Sequence, residues 1–309
     1  MDHTALIRRS VLIALARDRT PGWSFTGHFQ NIAWPRIDAN SMTVTMPVGP
    51  QCTDAEGNVE FAALLVLLDA ALASPARIAL PHGSRLATTQ ISAHFHGAAA
   101  RDEVSVESAF DGATQAGGLR QLLSSGTLAS RGSRVISGSG AFVQLPPPSN
   151  TGAMAPLPWQ RNDFAEPPAL TADQLDARES AILAACDAAL TGNAPPQSSF
   201  LKRFWGIAPA ASRDGATCCL QIGPQLANRV GHVQGGILMG AAAETARLAA
   251  PDHPVFSNLS AWFIAPGRGD ALLVSSRVVH AGRSLAVVRT EITGAGGVRV
   301  LEAISAHAA

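Results

Sequence analysis

The strongest constraint on this chain is that it spells out one order of elements twice. A β-like run, MTVTMP, leads through a polar loop into a long apolar stretch, FAALLVLLDAALASPARIAL. Farther on, ATCCLQI leads through a second loop into the Ala-rich stretch GGILMGAAAETA. Each apolar stretch is helical in composition. Each is followed by four strand-like segments rich in Val, Ile, Ser and Thr and parted by glycine turns. In the first half these are RLATTQISAHFH, EVSVESAF, LRQLLSSGTLA and RVISGSGAFVQL; in the second, VFSNLSAWFI, ALLVSSRVVHA, SLAVVRTEITG and VRVLEAISAHA. The halves overlay without gaps through loop and helix, residues 54–69 on 228–243, with Gly57 on Gly231 and Val59 on Val233. Past the helix, Ala93 and Phe95 fall on Ala261 and Phe263. A long apolar helix followed by antiparallel strands predicts an α+β unit, a sheet wrapped round a buried helix, made twice.

A chain of 309 residues has room for two such units. The expected division is an N-terminal helix over 1–21, a first unit over 22–148, a linker over 149–197 and a second unit over 198–309. The linker region is rich in Pro and Ser and carries one helix, with Thr171 as its expected N-cap. A formal net charge of zero gives no electrostatic case for a nucleic acid or an anionic membrane, so neither is expected as a partner. The stretch from Phe61 is about as long as a membrane span. Asp69 interrupts it, and Ser74, Pro75 and Arg77 follow, so it reads as a buried helix. Cys218 and Cys219 are adjacent, and no CxxC occurs. That usage fits a reduced, cytoplasmic protein without a zinc site.

Chemistry concentrates in NRVGHVQGGILMGAAAETA, residues 228–246. Gly235 and Gly236 open a helix whose first N–H groups have no intrahelical partner and lie at the positive end of its dipole. Glycines there let a ligand come close. Such a place suits a carbonyl oxygen, but hydrolysis also needs a group that activates or becomes the nucleophile. The carboxylates available on the two helices are Asp69 and Glu244.

These residues resemble the hotdog-fold acyl-CoA thioesterases, in particular the phenylacetate-pathway and 4-hydroxybenzoyl-CoA thioesterases. The chain resembles two such domains fused, a double hotdog. That family carries Asn or Gln, then His-Gly-Gly at the helix start, an Asp or Glu farther along the helix, and often a hydroxyl residue on the next strand. Its domains pair, one supplying the Asn and the glycine N–H, the other the carboxylate. The second half matches at Asn228 and Gly235-Gly236, but has Gln234 in place of the histidine and Ala243 at the carboxylate position. The first half matches at Asp69 and Thr88, but has Asp54 for the asparagine and Phe61-Ala62 for the glycines. Phe256 stands at the second hydroxyl position. Each half keeps what the other has lost, so the resemblance implies one complete site built across the repeat and one dead site.

The expected activity is hydrolysis of an acyl-CoA thioester to the free acid and CoA. Gly235, with Gly236, would hold the carbonyl oxygen. Asp69 would act as general base or nucleophile, Thr88 would orient it, and Asn228 would hold the water or the carbonyl. Glu244, one residue past the motif position, reads as structural. No cofactor or metal is called for; His94 and His96 share a strand face but lack a third ligand. There is no GxSxG, so a serine hydrolase is unsupported. SGSGAF reads as strand and GRGD as a turn. Arg101 and Arg268 are candidates for the CoA phosphates. A homodimer of the fused chain is expected. The rival readings are a non-catalytic acyl-CoA binding or sensing protein and a hotdog hydratase or dehydratase.

Overall fold

The computed structural model describes residues 2–116, 118–146, 154–161, 166–191 and 198–309. The first part of the chain forms α1 (His3–Asp18), α2 (Phe25–Phe29), β1 (Ala33–Ile37), β2 (Ser41–Met46), α3 (Phe61–Ile78), β3 (Arg85–Phe95), β4 (Val104–Ala116), β5 (Leu119–Ser130) and β6 (Ser133–Leu145). After α4 (Ala177–Thr191) come α5 (Phe200–Trp205), β7 (Ala210–Ser212), β8 (Gly215–Gln221), α6 (Gly235–Ala249), β9 (Val255–Phe263), β10 (Ala271–Ala281), β11 (Leu285–Thr293) and β12 (Arg299–Ala308).

The strands form one antiparallel sheet in the order β1-β2-β4-β5-β6-β3-β9-β12-β11-β10-β8-β7. Exchanging the repeats turns that order into its own reverse. α3 packs against β2 to β6 and α6 against β7 to β12, so each half is a sheet curled round one helix. This is the double hotdog. β3 pairs with β9 and makes the two sheets continuous. At the seam Ser92 lies opposite Ser260, with their hydroxyl oxygens 2.9 Å apart. Ile91 opposite Ala261 and Ala93 opposite Leu259 exchange under the overlay, so the serine pair marks the local two-fold.

α3 buries Leu64, Leu65, Val66, Leu67 and Leu68 in succession, as a helix enclosed on most sides must. Small residues let α3 and α6 cross closely. A Cβ added to Gly236 would stand 2.4 Å from Val66 Cα, and one added to Gly240 would stand 2.5 Å from Ala62 Cβ. The overlay turns the first contact into the second.

The structure adds elements that the sequence reading lacked. β1 and β7 extend the two outer edges, and α2 and α5 precede the strands of each half. Ser24 and Ser199 cap these short helices, accepting from the Gly27 and Lys202 N–H groups. Phe25, Phe29, Phe200 and Phe204 then meet in one aromatic cluster. SFTGHF and SFLKRF are thus a further piece of the repeat, legible as S-F-x-x-x-F.

The expected linker, 149–197, falls partly outside the described residues, at 149–153, 162–165 and 192–197. Its helix starts later than expected. Thr171 caps a short 3-10 turn, Ala172–Gln174, and Asp176 caps α4. Asp176 accepts from the Glu179 N–H while the Glu179 carboxylate accepts from the Asp176 N–H, a reciprocal cap that satisfies two otherwise unpaired donors. α4 lies along α1, fastened by Arg19–Glu179, Arg178–Asp18 and Arg8–Asp187.

Candidate active site

The loops before α3 and α6 have one design. Thr53 bridges Val59, and Ala227 bridges Val233. Gly57 and Gly231 both take φ +79°, a left-handed conformation open to glycine without strain. Asp54 Oδ1 accepts from the Glu56 and Asn58 N–H groups, as Asn228 Oδ1 accepts from those of Val230 and His232. Asn228 therefore spends its carbonyl oxygen on the loop, as Asp54 spends one carboxylate oxygen. The remaining difference is that Asn228 keeps an amide donor, and Asp54 has none.

That loop delivers Gln234 to the N-cap of α6. Its Oε1 accepts from the Ile237 N–H at 3.0 Å, which fixes the amide so that Nε2 points the other way. Nε2 donates to Asp69 Oδ2 at 2.8 Å, joining the second helix to the first across the repeat. Thr88 Oγ1, on β3, donates to Asp69 Oδ1 at 3.1 Å. The Gly236 N–H also faces the carboxylate. The Leu238 N–H is taken by the Gln234 carbonyl. Of the four N–H groups that open α6, only that of Gly235 lacks an acceptor among the described residues.

Asp69 is 7% exposed. Burial pushes its carboxyl up to about 6, against the lowering effects of Thr88, Arg77, the Gly236 N–H and Gln234. A carboxylate so placed is ionised at neutral pH yet basic enough to take a proton. Gly235 is small for a reason: a Cβ there would stand 2.9 Å from Asp69 Oδ2 and 3.2 Å from Phe263 Cε1.

Asp69, Thr88, Asn228, Gln234 and Gly235 line one cavity of about 400 Å³. Val66, Ala70 and Ala73 of α3 and Leu238 of α6 give it apolar walls, and Trp23 and Trp159 also line it. Its volume is in the range that holds a small organic ligand. Gly236 touches Asp69 and the α3 backbone rather than lining the cavity. Arg101 and Arg268 do not line it either. Arg77, Arg85 and Arg229 do, and sequence reading had not singled them out. Of the three only Arg77 carries a signal in the sequence, its spacing of two helical turns from Asp69 along α3.

Glu244 is elsewhere. It pairs with Lys202 at 3.0 Å and with Arg247 at 3.4 Å, and Lys202 also meets Glu60 at 3.4 Å. The chain's single lysine thus ties the start of α3 to the middle of α6. Among the described residues, no group of three or more His, Cys, Asp or Glu side chains comes together to hold a metal.

The equivalent place in the other half is filled. Phe61, which overlays Gly235, stacks on Phe95 at 4.5 Å between ring centroids. Phe256, which overlays Thr88, meets both rings at 5.1 and 5.2 Å, and His307 meets Phe256 at 4.8 Å. Ala243, opposite them, has no acid to offer.

The fold and this site define a class, the double-hotdog proteins. Within it, residues 224–308 match the acyl-CoA thioesterase N-terminal domain family, so the match falls on the second repeat. The chain resembles the hotdog-fold acyl-CoA thioesterases, by sequence in that repeat and by fold over most of its length. The 12:0-ACP thioesterase from Umbellularia californica superposes with a TM-score of 0.53 at 12% identity, over 87% of this chain and 94% of that one. The tesB protein of Mycobacterium avium subsp. paratuberculosis gives 0.50 at 12% identity, over 89% and 96%. A hotdog-fold protein of unknown function from Alicyclobacillus acidocaldarius gives 0.50 at 11%, over 90% and 96%. No curated protein sequence matches this chain.

Proposed function

We propose that this chain hydrolyses an acyl-CoA thioester at one composite site, with Asp69 supplied by the first repeat and the α6 N-terminus by the second. The observation that carries the reading is the bond from Gln234 Nε2 to Asp69 Oδ2, which sets a buried carboxylate against the N-terminus of a helix from the other repeat. The thioester carbonyl oxygen accepts from the Gly235 N–H, where the helix dipole meets the charge that grows on oxygen. The Asn228 amide, whose oxygen the loop occupies, donates to the substrate or the water. Thr88 and Gln234 hold the carboxylate in place.

Asp69 can serve in two ways. As general base it takes a proton from water, whose oxygen bonds to the acyl carbon; the C–S bond then breaks and the CoA thiolate takes up a proton. As nucleophile it bonds to the acyl carbon, expels the thiolate and leaves a mixed anhydride, which water cleaves. A single turnover in H₂¹⁸O tests the second route: label in Asp69 with none in the released acid means that the carboxylate attacks and water opens the anhydride at its side.

Release of free thiol from a panel of aliphatic and aromatic acyl-CoAs is the test of the activity. Turnover of at least one member is expected. Saturable binding of acyl-CoA with no turnover of any member would instead make the chain a binding protein.

A further inference from the structure

The cavity that holds Asp69 is markedly cationic at one end. Arg77, Arg85 and Arg229 line it, and Asp69 is the one carboxylate among its described lining residues. Arg77 lies two helical turns past Asp69 on the same face of α3, about 12 Å along the axis at the usual rise. Helical side chains lean toward the N-terminus, so Arg77 reaches back along the cavity. It feels Asp69 electrostatically, yet it makes no hydrogen bond or ion pair with any described residue. Arg229, from the loop before α6, gives one Nη to the Ala155 carbonyl at 2.5 Å, while its buried Nε has no partner among the described residues.

Two partly buried guanidiniums without a hydrogen-bonded counter-ion among the described residues are costly to the fold. Burial pushes Arg77 down to about 9, with Arg229 adding to the effect, and burial brings Arg229 to about 10. Both stay cationic at neutral pH. The overlay sharpens the point. Ala55 stands where Arg229 stands, and α6 ends at Ala249, short of the position equivalent to Arg77. The arginines therefore belong to the open site alone, and the filled half has no use for them.

Residues 154–157 lie against the end they occupy. Met154 donates to the Gly83 carbonyl, and buried Leu157 lies over the same place. Arg77 and Arg229 also line a second, small space of about 20 Å³, room for a water.

We infer that Arg77 and Arg229 bind a carboxylate at the far end of the acyl group, so that the preferred substrate is the CoA thioester of a dicarboxylic acid. The inference rests on the thioesterase reading. A planar carboxylate fits a guanidinium fork with two parallel hydrogen bonds, and it supplies a hydrogen-bonded counter-ion that neither arginine has among the described residues.

The experiment compares kcat/KM for two esters of equal chain length, one ending in a methyl group and one in a carboxylate. Each is offered on CoA and on N-acetylcysteamine, which carries no phosphate. The folded wild-type protein is expected to favour the carboxylate ester on both carriers. In Arg77→Met and Arg229→Met that preference ratio is expected to fall by about 10- to 100-fold. A wild-type preference for the methyl ester, or a ratio unmoved in both variants, overturns the inference. Loss confined to the CoA esters overturns it too, and assigns the arginines to the carrier's phosphates. If no ester is hydrolysed, the thioesterase reading fails, and thermal shift still decides the subsite. Free butyrate should raise Tm more than butyramide, which carries no charge, and Arg229→Gln should abolish the difference; equal shifts overturn the subsite. Arg77→Lys, which keeps the charge but not the fork, should lie between wild type and Arg77→Met in both assays.

Discussion

The two helix N-termini of this chain begin alike and end in opposite states. Both follow a loop with a left-handed glycine and a side-chain oxygen that accepts two backbone N–H groups. At α6 the next residues are Gln234 and Gly235, and a cavity opens onto Asp69. At α3 they are Glu60 and Phe61, and rings fill the space. The loop is therefore scaffold, and a few side chains decide whether it frames a site. Within one covalent chain the second site is free to become core, because the first needs only one acid and one helix start.

The comparison breaks most visibly at the acids. Asp69→Asn is expected to lower kcat by ~10²–10⁴ with substrate affinity little changed, since Asn cannot take a proton or attack a carbonyl. Glu244→Gln should keep most of the rate. Steady-state hydrolysis of one good acyl-CoA by both folded variants checks this; the opposite pattern would put the chemistry on α6 and end the cross-repeat assignment.

Exchanging the residues that face each helix start comes next. Gly235→Ala puts a methyl group against Asp69 Oδ2, and displacement of the carboxylate by a fraction of an ångström is expected to cost about 10²-fold in kcat. Phe61→Ala at the filled end should instead lower stability by roughly 2–4 kcal/mol and leave kcat in place. Denaturant melts alongside rates would show whether the two ends divide in this way.

A smaller effect is the pH profile. In the proposed reaction Asp69 acts in its ionised form, and burial holds it at about 6. kcat/KM should fall about tenfold per unit below that pH and level off above it. A profile flat down to pH 4 would remove the carboxylate from the reaction.

The smallest effect concerns stability. The folded-state value of Asp69 is raised above 3.8, so the fold favours the protonated acid. Its contribution to stability is greatest below 3.8 and is lost as pH rises through about 6. At neutral pH Asp69→Asn should therefore gain stability, on the order of 1 kcal/mol once the mismatch of its amide with the Thr88 and Gln234 donors is counted. A melt at pH 7 showing Asp69→Asn clearly less stable than wild type would mean that the hydrogen bonds outweigh desolvation.

Much of this was legible in the sequence, because the repeat let one half annotate the other. The overlay of 54–69 on 228–243 needed no gap, and the strand segments fell where glycine turns part them. Asp69 was legible because a carboxylate inside FAALLVLLDAALA calls for a reason. What stayed hidden depends on where side chains point. Gln234 looked like a departure from the motif, whereas its cap bond to Ile237 aims the amide at Asp69. The sequence places Asn228 at the motif position but does not show that the loop takes its oxygen, which leaves the amide as the group free to donate. The short strands β1 and β7 carry too few residues to show a period. Thr171 looked like the start of α4 because Asp176, five residues on, caps with equal chemistry.

The β3–β9 seam has a consequence for how the chain acquires its shape. Ser92 and Ser260 are 168 residues apart, and Asp69 and Gln234 are 165 apart. Contacts of such long range must wait for loop closure and form late. During synthesis the first repeat would emerge with β3 as a bare edge and the Ala62–Val66 face of α3 uncovered, surfaces that α6 and β9 later hide. Such an edge pairs readily with whatever strand it meets first. The same pairing that completes the sheet brings Gln234 to Asp69, so recovery of enzymatic rate in a refolding experiment should track closure of the seam rather than the earlier gain of helix.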